Sequence, residues 1–228
     1  MIHVAWAVVV ACGKEEMFTG ESCTPFINLG GKPILAHVLT TLEHCADISG
    51  VMVLADKTRL DSVRGMAQMF GFSKVQSVQS GFASRQPSMA SALAHLDEDA
   101  SIVVVVDGSR PFLKAEMVAE TIKSAKRYGS GVAAIPLLDA VKETKKGLTI
   151  SKSLNDGALW VSQTPQAFRR DLLQKGYAAA SKKKMELQDD AAALELIGEE
   201  ARIVESSPLN LRIRTPADFT LAMALLKG

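Results

Sequence analysis

Asp107, Gly108, Ser109, Arg110, Pro111 and Phe112 directly follow the apolar run Ser101–Val106, which sets a carboxylate and a guanidinium three residues apart at its end. A run of Val and Ile bounded by charged residues is a strand buried on both faces, as in parallel sheets. Ligands of open α/β sheets sit beyond the carboxyl ends of such strands. A carboxylate placed there suits a magnesium ion or the polar groups of a substrate, and the Arg suits phosphate oxygens. The same residues also suit a buried ion pair closing the strand, and the segment alone leaves both readings open.

Other segments carry weaker signals. Ala11, Cys12, Gly13 and Lys14 end the first apolar run, and small residues there let a ligand approach backbone N–H groups. The loop matches neither the dinucleotide GxGxxG pattern nor the phosphate-binding Walker loop, which argues against a dehydrogenase or a P-loop kinase. A tight turn at Gly13 explains it equally well. Gly81, Arg85 and Ser88 flank a helix start and form either a nucleotide clamp or an N-cap at Ser84 with a solvated Arg. Thr164, Pro165 and Gln166 read as a turn into a helix. Arg212 and Arg214 fall on one side of an extended segment, where they grip a phosphate or decorate an edge strand. The four His (His3, His37, His44 and His95) share no ligand spacing, and no Ser-His-Asp or Cys-His arrangement stands out. That pattern argues against nucleophilic catalysis.

The elements that must position these groups alternate along the chain. Strand-like runs cover Val4–Val10, Gly50–Ala55, Lys74–Val78, Ser101–Val106, Gly131–Pro136 and Ala201–Val204. Helical periodicity covers Pro33–His44, Thr58–Met69, Ser84–Leu96, Ala115–Tyr128, Arg169–Ser181, Asp189–Ile197 and Pro216–Leu226. Thr215 and Pro216 make an N-cap and first-turn pair for the last helix. Strands separated by helices imply right-handed crossovers and a mainly parallel sheet in a single α/β domain.

Composition narrows the class. The chain has 228 residues, a formal charge of +1 and mixed signs throughout, which argues against nucleic acid or a membrane surface as a partner. Lys182, Lys183 and Lys184, followed by Glu186, Asp189 and Asp190, read as a solvated helix end. Cys12, Cys23 and Cys45 share no metal spacing and cannot all pair, so a reducing cytoplasm is expected. The stretch 139–160 breaks the rhythm: it is charged, weakly alternating, and has a turn at Lys146-Gly147. A polar hairpin without a buried face does not fold alone, so it packs on another subunit or is a surface loop.

Taken in order, VVVACG, LGGKPILAHVL, SGFASRQPSM, VVDGSRPF, GALWVSQTPQAF, QDDAAALE and NLRIRTPADFTLA are similar, over essentially the whole chain, to the 2-C-methyl-D-erythritol 4-phosphate cytidylyltransferase family. The resemblance implies a mostly parallel, seven-stranded, Rossmann-like nucleotide-diphospho-sugar transferase sheet. It implies that 139–160 is a β-arm exchanged across a homodimer. The implied reaction moves CMP from CTP to 2-C-methyl-D-erythritol 4-phosphate, with magnesium, and releases pyrophosphate. By the same resemblance Ala11, Cys12, Gly13, Gly81, Arg85 and Ser88 line the nucleotide site. Asp107 holds magnesium and substrate, and Arg110 orients the acceptor. Thr164, Gln166 and the arm residue Lys142 belong to the acceptor side, and Arg212 stands where a Lys holds the acceptor phosphate.

The chain departs from the family where charge matters most. Met17 takes the position of a loop Arg and Thr24 that of a Lys, both of which clamp the triphosphate in the family. Glu15 and Glu16 add negative charge to the same loop. Losing one donor aimed at transition-state charge costs roughly 100- to 1000-fold in rate. Lys14 and Lys32 are the candidate replacement cations, Lys14 being the expected catalytic one. Ala140 replaces a Thr of the arm, and Asp156 stands where an Arg contacts the acceptor phosphate across the dimer. These changes leave two alternatives: another acceptor, such as ribitol 5-phosphate, or a silent nucleotide-binding homologue.

Overall fold

Alternate residues of the first apolar run face opposite sides of a sheet, and both sides are covered. In the computed structural model, which describes residues 4–18, 23–145, 148–154 and 156–227, this run is β1 (Val4–Ala11). Ala5, Ala7, Val9 and Ala11 pack into one core with Leu35, Val38, Leu39 and Leu42 of α1 (Ile34–His44). Trp6, Val8, Val10 and Cys12 pack into the other core with Met89, Leu93, Leu172 and Leu173. Each such Val contributes roughly 1.5–3 kcal/mol by leaving water. Strand and helix are thus fixed by the same period-2 and period-3.6 patterns that the sequence displays.

The remaining elements follow in order. A small ribbon, β2 (Asn28–Leu29) and β3 (Lys32–Pro33), precedes α1. Then come β4 (Ile48–Ala55), α2 (Leu60–Phe70), β5 (Val75–Ser80), α3 (Arg85–His95), β6 (Ala100–Asp107), α4 (Ala115–Tyr128) and β7 (Ser130–Pro136). After β8 (Lys142–Thr144) and β9 (Ile150–Ser153) the chain continues through β10 (Trp160–Arg169), α5 (Arg170–Lys183), α6 (Ala192–Glu195), β11 (Ile203–Glu205) and α7 (Pro216–Leu225). The main sheet has seven strands in the order β11-β7-β10-β6-β1-β4-β5. All neighbours run parallel except β10, which is antiparallel to both β6 and β7.

The chain leaves β1 toward β4 and β5, then returns to β6 on the other side of β1. The crevice beyond the carboxyl ends of β1 and β6 is therefore a topological switch point, the place where open α/β sheets bind ligands. Asp107 is the last residue of β6 and stands at this crevice.

Two sequence expectations need correction. Residues Trp160–Arg169 form a full strand, where a turn into a helix was expected around Thr164. Pro165 hid it, because a Pro inside a run argues against a central strand. The sheet accommodates this Pro by skipping its register to β7 from Ser162 to Gln166. The helix expected over Asp189–Ile197 is only four residues, Ala192–Glu195. Its intended first residues are used elsewhere: Asp189 caps the Ala192 N–H at 3.0 Å, and Asp190 turns inward.

The arm is a two-stranded sheet of β8 and β9, and none of the described residues of 139–160 is buried. The turn expected at Lys146-Gly147 and the side chains of Glu15 and Asp156 lie outside the described residues. No described helix is long and apolar enough to cross a membrane.

Candidate active site

The end of β6 fixes the centre of the site. The Asp107 N–H donates to Thr164 Oγ1 at 2.9 Å, tying β6 to β10 at the switch point. Its carboxylate is buried and faces three guanidinium groups. Arg85 Nη1 donates to Oδ1 at 2.8 Å, Arg110 Nε donates to Oδ2 at 2.9 Å, and Arg212 Nε lies 3.6 Å from Oδ2. Burial by itself would raise the Asp107 pKa, but the fields of Arg212, Arg85 and Arg110 hold it well below the usual carboxylate range.

Each Arg is fixed by a second partner. Arg110 Nη1 donates to the Asn210 carbonyl at 2.7 Å, and Asn210 Nδ2 in turn donates to the Thr164 carbonyl at 2.8 Å and to Gln163 Oε1 at 3.0 Å. Arg85 Nε and Nη2 donate to Asp190 Oδ2 at 2.9 and 2.7 Å, and the Tyr177 hydroxyl donates to Asp190 Oδ1 at 2.5 Å. Burial and the neighbouring Asp190 raise the Tyr177 pKa well above the ordinary phenol value, so its proton stays in place. Arg212 Nη2 donates to Glu16 Oε1 at 2.5 Å, and its Nε reaches Ser109 Oγ at 3.3 Å.

These side chains wall a cavity of about 250 Å³ lined by Arg85, Asp107, Arg110, Ser162, Gln163, Thr164, Gln166, Gln188, Asp189, Arg212 and Arg214. The lining is almost wholly polar and holds four guanidinium groups, the character of a seat for a small anionic metabolite. Of the acceptor-side residues expected from sequence, Asp107, Arg110, Thr164, Gln166 and Arg212 meet here, together with Arg85 from the expected nucleotide group. Lys142 does not: it is exposed on β8 and donates to Ser153 Oγ at 2.9 Å.

The rest of the expected nucleotide group forms a packed wall beside the cavity. Cys12 Sγ lies 3.9 Å from Ser88 Oγ, and Ser88 Oγ accepts the Phe82 N–H at 2.8 Å and donates to the Ser84 carbonyl at 2.8 Å. Ser88 thereby shapes the 81–84 loop, and Ser84 makes no side-chain cap. A Cβ at Gly81 would stand 2.0 Å from Cys12 Sγ, so only Gly lets the two loops close. Gly13 adopts φ 88°, a left-handed backbone that frees the chain to turn beneath Ala83.

The altered loop offers little positive charge. Lys14 is exposed, and its side chain makes no hydrogen bond or ion pair among the described residues. Lys32 Nζ donates to Thr40 Oγ1 at 3.2 Å on α1, away from the cavity. Thr24 is buried. Glu16, expected to repel ligand from the loop, is instead buried against Arg212. Burial pushes its pKa up to about 7, with Arg212 opposing the rise.

The residues do not fit the expected magnesium seat at Asp107. Both of its oxygens are taken by guanidinium groups, and among the described residues no cluster of three His, Cys, Asp or Glu surrounds it. Sequence reasoning also missed Asp190 and Tyr177. Asp190 sits in a charged stretch that reads as solvated, and no local signal separates it from Asp189.

An open, mostly parallel α/β sheet with a cationic cavity at its switch point defines a protein that handles phosphorylated small molecules. Residues 5–228 match the family model described as 2-C-methyl-D-erythritol 4-phosphate cytidylyltransferase, and the chain belongs to that family. It is 33% identical over 223 residues to the enzyme of that name from Pelotomaculum thermopropionicum, covering 97% of this chain and 94% of the relative. It is 35% identical over 221 residues to the one from Dehalococcoides mccartyi, covering 97% and 95%. Among solved structures, the 2-C-methyl-D-erythritol 4-phosphate cytidylyltransferase of Thermus thermophilus superposes with a TM-score of 0.80 at 26% identity, covering 97% of this chain and 98% of that one. The 4-diphosphocytidyl-2C-methyl-D-erythritol synthase of Anaerococcus prevotii shares the fold with a TM-score of 0.88 at 23% identity, covering 99% and 97%.

Proposed function

We propose that this chain transfers CMP from CTP to 2-C-methyl-D-erythritol 4-phosphate and releases pyrophosphate, a step of isoprenoid biosynthesis. The observation that carries the reading is the cavity at the switch point, where Arg85, Arg110 and Arg212 converge on Asp107 in a chain that matches the family from end to end. In the proposed reaction a phosphate oxygen of the acceptor attacks the α-phosphorus of CTP. A new P–O bond forms as the bond to the β-phosphate oxygen breaks, and the electron pair leaves with pyrophosphate. No covalent enzyme intermediate is needed, so the protein contributes positioning and charge neutralisation.

In this reading Arg212 and Arg214 face the acceptor phosphate. Asp107 accepts a hydrogen bond from a hydroxyl of the polyol, Arg110 fixes that carboxylate, and Thr164 and Gln166 complete the wall. The wall built by Ala11, Cys12, Gly13, Gly81 and Ser88 receives the cytidine, and Lys14 is the loop cation nearest the triphosphate. We also propose a magnesium requirement. The ion would arrive on the phosphates of CTP, since Mg²⁺ is commonly held by substrate phosphates with few protein ligands.

We further infer a cytoplasmic homodimer joined through 139–160, with Lys142 reaching the partner's acceptor site. Exposed Leu148, Ile150, Trp160 and Val161 support this, since an arm without a buried face gains one only by pairing. Leu148→Asp with Ile150→Asp is expected to shift the chain from dimer to monomer in sedimentation. An unchanged mass would remove the arm from the interface.

Pyrophosphate release tests the reaction. It is expected with CTP, magnesium and 2-C-methyl-D-erythritol 4-phosphate, and it stops with Asp107→Ala or excess chelator. Faster release with ribitol 5-phosphate would reassign the acceptor. No release with either acceptor from folded protein would overturn the transferase reading in favour of a silent homologue.

A further inference from the structure

The loop after β1 carries a carboxylate where an anionic ligand is handled, yet that carboxylate does not face the ligand. Glu16 is 1% exposed and sits behind the cavity wall, its Oε1 at 2.5 Å from Arg212 Nη2. Its other oxygen is buried without a partner of hydrogen-bond geometry among the described residues. Burying a carboxylate is costly even with Arg212 and Ser109 beside it, so a packing requirement alone accounts poorly for a Glu here. With Glu16 and Asp190 behind the wall and Asp107 in it, three guanidinium groups of the cavity, those of Arg85, Arg110 and Arg212, meet three carboxylates.

We propose that Glu16 sets the site's grip on phosphate: it is a built-in anion that competes with the acceptor's phosphate for Arg212. The proposal rests on the acceptor-site reading above and adds a specificity residue to it. An incoming phosphate ester must share or displace a donor that the chain's own carboxylate already holds. The neutral part of the polyol, which meets Thr164, Gln166 and Asp107, is indifferent to Glu16. Glu16 is thus a positioning residue, acting on the ligand through Arg212.

The test is calorimetric titration in a buffer well above pH 7, where the Glu16 carboxylate is ionised, and without CTP, so it needs no turnover and stands even if pyrophosphate release fails. Wild type, Glu16→Gln and Glu16→Ala are each titrated with 2-C-methyl-D-erythritol 4-phosphate, with the phosphate-free polyol, and with inorganic phosphate. Glu16→Gln keeps the shape and removes the charge. The phosphate ester is expected to gain about tenfold in affinity, the scale of one charge-assisted hydrogen bond released to the ligand, while the phosphate-free polyol does not change. A gain with inorganic phosphate but not the ester would support the competition at Arg212 and remove the acceptor assignment. Equal changes for ester and free polyol, or no gain, would overturn the proposal. So would loss of folding in both variants, which would make Glu16 a structural residue.

Discussion

Arg85 and Asp190 stand 105 positions apart in sequence and meet through two hydrogen bonds, Nε and Nη2 to Oδ2 at 2.9 and 2.7 Å. The pair closes a line of buried groups running from Tyr177 through Asp190 and Arg85 to Asp107. α5, the 189–190 turn, α3 and the end of β6 are thus locked to one another behind the cavity. The field of Asp190 and Asp107 raises the Arg85 pKa well above the ordinary value against its burial, so the guanidinium remains charged.

Asp190→Ala is therefore expected to leave Arg85 buried without half of its counter-charge and Tyr177 without its acceptor. Removing one partner of a buried pair costs about 3–5 kcal/mol. The midpoint of denaturant unfolding should fall accordingly. Tyr177→Phe, which removes one hydrogen bond, should cost only about 0.5–1.5 kcal/mol. Equal, small effects from both would mean that Arg85 is held by Asp107 alone.

The pH dependence of stability isolates Glu16. Its folded pKa is about 7, above the ordinary 4.5 because of burial, so between those values the folded chain keeps a proton that the unfolded chain releases. Stability from this group is fully present below 4.5 and falls as pH rises through the window. Asp107 acts in the opposite sense: its lowered pKa contributes stability at neutral pH that is lost in acid, below the unfolded carboxylate range. Glu16→Gln should flatten the decline between pH 4.5 and about 7 relative to wild type in urea unfolding. Identical slopes in the two proteins would mean that Glu16 ionises normally.

How much of this was legible follows from where each signal lies. The central strands β1, β4 and β6, and the Asp107–Arg110 pair at the end of β6, announce themselves because burial on both faces demands apolar runs rich in Val. β10 does not, because Pro165 breaks its pattern while its register skip repairs the sheet. The cavity was legible in part: Asp107, Arg110 and Arg212 lie on segments whose order resembles a family. Asp190 and Glu16 read locally as solvated or ligand-facing charge. Their burial comes from partners 105 and 196 residues away, which no local window contains.

By the family resemblance Met17 and Thr24 stand at the positions of two cations, and the structure separates their prospects. Met17 is 36% exposed, so Met17→Arg has room to reach solvent and a triphosphate. It is expected to raise pyrophosphate release by up to roughly 100-fold, the scale of one restored transition-state donor. Thr24 is 1% exposed, and an ammonium there would be buried without a partner. Thr24→Lys is expected to lower the unfolding free energy by about 3–5 kcal/mol and to add no rate by itself. A faster, fully stable Thr24→Lys would show that this segment rearranges to present the cation.

The capping box that starts α7 also reaches the segment that lines the cavity with Arg212 and Arg214. Asp218 N–H donates to Thr215 Oγ1 at 3.2 Å, while Asp218 Oδ2 accepts the N–H groups of Thr215 at 2.8 Å and Arg214 at 3.0 Å. The Asp218 pKa is lowered against its partial burial by these N–H donors and the Thr215 side chain, so the cap stays ionised at neutral pH. Through Arg214 the cap sets the path of the strand of chain that carries Arg212 into the cavity. Asp218→Ala should cost about 1 kcal/mol of stability, the usual value of a cap. Because the backbone at Arg214 loses this anchor while Arg212 keeps Glu16 and Ser109, the KM for the proposed acceptor phosphate should rise a few-fold more than the KM for CTP. Equal changes in both would confine the cap to helix stability.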